Sequence, residues 1–342
     1  MNLVTGATGI VGSHVVLALL QNNLPVTACC QKNSDLKRVE ELFSFYMPDH
    51  KTLFAKIKWV HLDVRDLFSI EDALEGVTNV YHCAGFVSFE NKDKKKLKEI
   101  NEIGTKNIVD ACLTKKISAL CHVSSVATIN NLDYILPLSE DVFWKKSGKE
   151  SDYAISKYNA EREVWRGMEE GLNAVIVNPG VILSPVFFSQ SSSKIFDTCY
   201  KGNRFYTNGL AGYIAASDVA ESMIKLVAQK CFSNRYILIE NNYTFYNILS
   251  HIQANFKKPL PTINATRIML NAVSFIEQIL SLITGKPPQI TKALISAALN
   301  KQVYSNKKVK MALSSEFRPV HPLMEQICSN YRLQKTKNQA SL

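Results

Sequence analysis

The chain has 342 residues, 46% of them hydrophobic and 20% charged, a globular balance with enough length to bury a full core and no low-complexity tract. The formal net charge is +10, with lysines clustered at Lys92–Lys98, Lys145–Lys149 and near the C-terminus. No nucleic-acid motif or aromatic–basic interleaving accompanies these clusters, so they read as solvated faces that suit an anionic cofactor and exclude a nucleic-acid partner.

Asn2-Leu3-Val4 reads as a short strand and runs straight into Thr5-Gly6-Ala7-Thr8-Gly9-Ile10-Val11-Gly12, after which an apolar helix continues from Ser13. A strand, a Gly-rich turn and a helix N-terminus make an anion site, because backbone N–H groups point outward and the helix dipole favours a pyrophosphate. Gly6 permits the tight turn, Gly9 lets the backbone approach the phosphates, and Gly12 allows close helix–strand packing. Thr8, Ile10 and Val11 belong to the same phosphate-binding turn. Pro25–Cys30 is the next strand, and its end should meet the adenosine ribose. An acid there takes the ribose hydroxyl of NAD, whereas a basic residue accommodates the 2′-phosphate of NADP. The residues are Gln31, Lys32 and Asn33, with Lys37 and Arg38 further on, so NADP(H) is favoured and NAD(H) is the alternative.

A third strand, Ile57–Leu62, ends at Asp63 and Val64. Asp63 is placed to accept from an adenine amino group with Val64 alongside, unless Asp63 or Asp66 simply starts a turn. Thr78–Cys83 is the fourth strand, and the small residues Ala84 and Gly85 after it would let a cofactor lie across the strand ends. Phe86 and Phe89 follow as either a substrate wall or core. Lys92 to Lys115 reads as one long crossover helix carrying Asn101, Gly104 and Thr105. Ala119–Val123 is the fifth strand, closing at Ser124-Ser125, where a hydroxyl on the ligand-binding edge of a doubly wound sheet can hold a substrate oxygen.

The helix that follows carries Tyr153-Ala-Ile-Ser156-Lys157, then Ala160 and Glu161. Residues four apart share a helix face, so a phenol and an ammonium lie together. The phenol has an ordinary pKa near ~10, and a fixed ammonium is expected to lower it and make Tyr153 a general acid or base. Taken alone the pair would be a solvated helix face. Ala174–Val177 is a sixth strand, closing at Asn178-Pro179-Gly180-Val181. The alternation of strand and helix argues for an α/β fold with a Rossmann-type, doubly wound parallel sheet.

Residues 1–180 are assigned to the dinucleotide-binding core and 181–342 mainly to a smaller substrate lobe, with about 213–240 returning to the core. Ser217–Gln229 reads as a helix and Tyr236–Glu240 as a late strand. The apolar stretch from Thr266 to Ile283 is interrupted by Arg267, Glu277 and Gln278. A buried or interface helix is therefore expected, with contact at a membrane surface the less favoured reading. Lys286-Pro287-Pro288 marks a turn. Eight scattered cysteines show no zinc spacing, and the N-terminus shows no basic leader region, so a metal-free cytoplasmic protein with reduced thiols is the expectation.

With these residues in view, the chain resembles the extended branch of the short-chain dehydrogenase/reductase superfamily, also called the NAD-dependent epimerase/dehydratase family. The resemblance runs from Asn2 to at least Tyr236. It is carried by Thr5-Gly6-x-x-Gly9-x-x-Gly12, Asp63, Asn101 with Gly104-Thr105, Ser124-Ser125, Tyr153-x-x-x-Lys157, Asn178-Pro179-Gly180 and Asp218-Val219-Ala220. In wording it is most similar to dihydroflavonol 4-reductase and 3β-hydroxysteroid dehydrogenase relatives, with an apolar Leu183-Ser184-Pro185-Val186-Phe187-Phe188 where sugar-nucleotide epimerases often carry an Arg-containing loop. The resemblance implies an NAD(P)-dependent oxidoreductase on a small-molecule hydroxyl or ketone. Tyr153 would be the general acid/base, and Lys157 would tune it and bond the nicotinamide ribose. Ser125, or less favourably Ser124, would hold the substrate oxygen, with Pro179, Gly180 and Val181 flanking the nicotinamide. It also implies pairing into a homodimer as relatives often do. A nucleotide-sugar epimerase with bound NAD and a non-catalytic cofactor-binding protein of the same fold are the rival readings.

Overall fold

The computed structural model describes all residues except 130–136, 146–147, 149, 189–193, 285–289 and 341–342, so the Lys286-Pro287-Pro288 turn lies outside the described residues. The central feature is a parallel sheet of seven strands. They are β1 (Asn2–Thr5), β2 (Val26–Cys30), β3 (Lys58–His61), β4 (Asn79–His82), β5 (Ala119–Val123), β6 (Ala174–Pro179) and, after three further strands, β10 (Asn234–Leu238). Their order across the sheet is β10-β6-β5-β4-β1-β2-β3. Every neighbouring pair is parallel. β1, β2 and β6 are buried along their whole length, as expected for strands covered on both faces, while β3 at one edge is partly exposed. The order reverses direction between β1 and β4, and a ligand crevice forms at the strand C-termini beside such a switch point.

Helices cover both faces. On one lie α1 (Ile10–Gln21) and, from later in the chain, α9 (Ala216–Ala228), packed on Val4, Ala28, Cys121 and Val177. Between them in sequence come α2 (Leu36–Tyr46), α3 (His50–Phe54) and α4 (Leu67–Ala73), the last capped by Asp66, whose side chain accepts from the Phe68 N–H. The other face carries a composite helix and α7 (Asp152–Glu169). The composite helix corrects the expectation of one continuous α-helix. A short α5 (Lys94–Leu97) passes into a π-helical stretch, Lys98–Ile103, before α6 (Gly104–Thr114). The widened turn contains the buried Asn101, and such π segments are frequent at functional sites. α7 begins where Ser151 accepts from the Ala154 N–H at 3.1 Å, with Asp152 favourably placed in the first turn.

Beyond β6 the chain builds a second layer over the strand ends. β7 (Val181–Leu183), α8 (Lys194–Tyr200), β8 (Phe205–Tyr206) and β9 (Leu210–Ala215) lead into α9 and β10. β11 (Asn241–Thr244) pairs antiparallel with β9, which pairs parallel with β7. Then come α10 (Phe245–Asn255), β12 (Ile263–Asn264), α11 (Arg267–Thr284), α12 (Lys292–Ala298), α13 (Lys307–Leu313) and α14 (Val320–Ala340). α8, α10 and α14 share an aromatic core of Phe196, Phe256 and Tyr331. Gly180 is where this layer meets the sheet: a Cβ there would stand 2.3 Å from the Gly212 carbonyl oxygen, so only glycine lets β6 and β9 come so close. All eight cysteines are free.

Candidate active site

The glycine turn does what its spacing demands, with one refinement. Gly6 has φ +62° and its added Cβ would lie 2.7 Å from the Ala84 backbone, so it serves both turn and packing. A Cβ on Gly12 would lie 2.2 Å from the Gly6 carbonyl oxygen. Gly12 thus packs α1 onto the turn itself rather than onto the strand. Gly9 meets nothing closer than 3.3 Å and faces the cleft, and α1 has no side-chain cap, so its first N–H groups are open to an anion.

One cleft of about 3220 Å³ runs from Gly9, Ile10, Val11 and Gly12, past Gly85, to Ser124, Ser125, Tyr153, Lys157, Gly180 and Val181. A pocket for one drug-sized ligand occupies about 300–1,000 Å³, so a dinucleotide and a second molecule both fit. Thr8 reaches Ser34 at 3.4 Å, and the Gln31 N–H donates to the same Ser34 hydroxyl. Neither Gln31 nor Lys32 lines the cleft, whereas Asp35, Lys37 and Arg38 do. Asp63 is engaged by Arg65 through its backbone N–H at 3.0 Å and its guanidinium at 2.6 Å, and that hydrogen bonding holds the carboxyl below its ordinary pKa. The Asp66 N–H also donates to the Asp63 carbonyl at 2.9 Å, so Asp63 opens a turn here. The Val64 side chain is buried in the core against Gly104, which leaves only its backbone to face a ligand.

Around the reacting end, Asn101 is the organiser that the sequence only hinted at. Its side chain accepts from the Phe86 N–H at 2.7 Å and donates to the Phe86 carbonyl and to the Ser156 hydroxyl, both at 2.9 Å. The loop after β4 is thereby tied to α7. Ala84 is fixed by its N–H donating to Thr5, and Gly85 lies flat against Lys157, whose ammonium would be 3.6 Å from an added Cβ.

The Ser125 hydroxyl stands close enough to Tyr153 to act on its phenol, in the direction of a lower pKa. Burial nonetheless pushes the phenol's pKa up, with Ser125 opposing the rise. The Lys157 ammonium donates to the Val123 carbonyl at 2.6 Å. Lys157 is itself buried, which lowers its pKa to about 8, while Glu161 one turn further along acts to raise it. Ser125 also caps a short turn by accepting from the Ala127 N–H. Ser124 is buried, and its hydroxyl has no partner among the described residues.

Behind these groups sits a buried network that sequence reasoning missed. Glu161 accepts from Thr128 at 2.6 Å and Asn178 at 2.5 Å, and Asn178 also donates to the Ser125 backbone carbonyl, which lies 2.9 Å from the Thr128 hydroxyl. Arg235 on β10 pairs with the other Glu161 oxygen at 3.3 Å and donates to the carbonyls of Glu140 and Val142. Such a charge is tolerable in the interior only because it is paired and fully hydrogen-bonded. Glu161 falls four residues after Lys157 on one helix face, which was the available signal. The Arg235 partner, 74 residues away, had none.

The far wall is apolar. Phe86, Val87, Phe89, Val186 and Phe187 line it, and the Phe89 ring meets Tyr153 edge-on at 5.8 Å. Phe187 holds φ +74°, a costly conformation for a bulky residue, and lies beneath the Arg38 guanidinium at 5.9 Å. Pro179 is buried at the end of β6, with Gly180 and Val181 facing the cleft.

An open helix N-terminus at a topological switch point, facing a Ser–Tyr–Lys cluster across one cleft, defines a nucleotide-binding protein of the extended Rossmann class. The family model described as "NAD dependent epimerase/dehydratase family" matches residues 2–237, and the chain belongs to that family. It is similar to sterol demethylase protein B of Methylococcus capsulatus, 27% identical over 280 residues and covering 80% of each chain. It is also similar to dihydroflavonol 4-reductase of Arabidopsis thaliana, 26% identical, covering 74% of this chain and 69% of the relative. In three dimensions it matches UDP-glucose 4-epimerase of Thermus thermophilus, solved in complex with NAD, with a TM-score of 0.72 at 18% identity over 97% of this chain and 98% of that one. That last likeness concerns the fold.

Proposed function

We propose that the protein is a nicotinamide-dependent oxidoreductase acting on a hydroxyl or ketone of an apolar small molecule, with NADP(H) favoured over NAD(H). The carrying observation is the convergence of Ser125, Tyr153 and Lys157 on one cleft that Phe86, Phe89, Val186 and Phe187 also line. The open N-terminus of α1 and the bare surfaces of Gly9 and Gly85 suit a dinucleotide, which when bound supplies or accepts the hydride. Lys37 and Arg38 would meet a 2′-phosphate, while Gln31, Lys32 and Asp63 stand further from the cleft. Ser125 would hold the substrate oxygen, and Tyr153 would give it a proton in reduction or take one in oxidation. Lys157, protonated at neutral pH, would hold the nicotinamide ribose and keep positive charge near the phenol. The apolar wall beside Tyr153 supports this reading over the epimerase alternative, although Lys194, Lys201, Arg267 and Lys335 line the same cleft and would suit a diphosphate.

The test is turnover of a panel of apolar ketones and alcohols with each cofactor. Tyr153→Phe should lower kcat by about 10²–10⁴-fold while cofactor affinity, read by fluorescence titration, stays within about twofold. Wild-type rates in that variant would remove Tyr153 from the chemistry.

A further inference from the structure

α11 is built inside out. Its least exposed stripe is Leu270, Ser274, Glu277 and Ser281, three of them polar. Ser274 is buried and donates to the Ile290 carbonyl at 2.6 Å, and Glu277 accepts from the Ile290 N–H at 2.7 Å. The polar side of the helix therefore docks on the protein through the segment leading into α12. The opposite side carries Ile268, Met269, Val273, Phe275, Ile276 and Ile279 outward, with Ile268 81%, Phe275 64% and Ile276 54% exposed. At 100° per residue these positions cover one broad arc of the helix. Of the two expected readings, buried or interface helix, this exposure leaves the interface one. Scattered apolar residues on a surface need no explanation, but a contiguous arc on a helix whose polar side is turned inward does.

Charge decides what covers it. Between residues 257 and 315 the sequence holds nine Lys or Arg and a single acid, Glu277. Arg267 opens α11, Lys292 opens α12, and Lys257 and Lys258 precede them, all exposed. A second copy of the chain seated on this face would bring two such basic segments together, at a cost of several kcal/mol. An anionic lipid surface gains from the same charge, and an apolar arc flanked by Lys and Arg is the pattern of a helix lying in a bilayer interface. Among the described residues no helix is long and apolar enough to cross a membrane, so lying on it is the available mode. We propose that the α11–α12 segment docks the protein on anionic membrane surfaces through the Ile268–Phe275–Ile276–Ile279 face. The face adjoins the cleft, which Arg267, Ile290 and Leu294 also line, so a lipid-dissolved molecule would meet the cleft at the bilayer.

The experiment is vesicle flotation of the full-length protein with phosphatidylcholine alone and with about 30% phosphatidylglycerol, at low and at ~0.5 M salt. Wild type should float with the anionic vesicles at least about tenfold more than with neutral ones, and salt should weaken the binding. The triple variant Ile268→Ser, Phe275→Ser, Ile276→Ser should lose flotation while its circular dichroism and thermal midpoint stay unchanged. No flotation of wild type, or flotation indifferent to the triple change, overturns the proposal. So does a wild-type dimer in light scattering that the triple variant splits into monomers, since the face would then belong to a second copy. None of these readouts depends on turnover, so failure here leaves the oxidoreductase reading standing, and failure of that reading leaves this one.

Discussion

The glycine turn and the α11 segment are opposite solutions to the same problem of where a helix puts its surface. At the turn, α1 is buried on nearly every side, and its backbone stands so close to Gly6 that one methyl group has no place to go. At α11, a helix of 18 residues anchors itself through a serine, a glutamate and a few backbone groups, and leaves its apolar side outside. The difference teaches where sequence changes should be costly. Packing energy in this chain is concentrated at the sheet and its first helix, and the outer segment spends its apolar surface on something other than folding.

The sharpest way to break that contrast is Gly12→Ala. The added methyl would collide with the Gly6 carbonyl, and overpacking of this kind against backbone should destabilise the protein by about 3 kcal/mol or more in urea denaturation. A Gly12→Ala midpoint matching wild type would mean the turn is far softer than its geometry implies.

A loss of comparable size, about 2 kcal/mol by pH 5 for each buried histidine held neutral, is expected from acid. His14 and His82 are buried under the sheet's helices, and burial lowers their pKa to about 4 and about 3, while His122 is driven in the same direction. With folded values below the ordinary 6.5, the unfolded chain binds more protons between these limits. Stability is thus full above about pH 6.5 and is lost as pH falls toward 4. Urea midpoints at pH 7.5, 6 and 5 should fall in that order, and a flat profile would show that these histidines are solvated. Ile268→Ser on α11 should move the midpoint least, within about 0.5 kcal/mol, because the side chain is 81% exposed and packs on nothing it would lose. A loss of about 2 kcal/mol there would show that the outer face is part of the folding core after all.

Most of the fold was legible in residue order. β5 begins and ends where expected, and the limits of β1, β2, β4 and α9 shift by only a residue or so, since apolar runs between turn residues leave few alternatives. The glycine spacing and Tyr153–Lys157 pair were readable because each depends on residues near one another in the chain. The π-helical widening at Asn101 was not, since a single extra residue in a helical turn leaves the hydrophobic pattern almost unchanged. The direction of the Lys157 ammonium was also hidden. Helix periodicity places Tyr153 and Lys157 on one face, but a four-carbon stem chooses its partner from whatever carbonyl β5 brings near, here Val123.

By itself, then, the sequence determined the parallel sheet, the glycine turn ahead of α1 and the identity of the groups at the strand ends, because local sterics and periodicity dictate them. Tertiary structure alone decided that Glu161, Thr128, Asn178 and Arg235 would meet behind Ser125, and that α11 would turn its apolar side outward. The physical reason is the same in both cases. Hydrogen-bond partners dozens of residues apart, and the choice of which side of a helix to bury, are set by the chain's path through space and leave no mark on neighbouring residues.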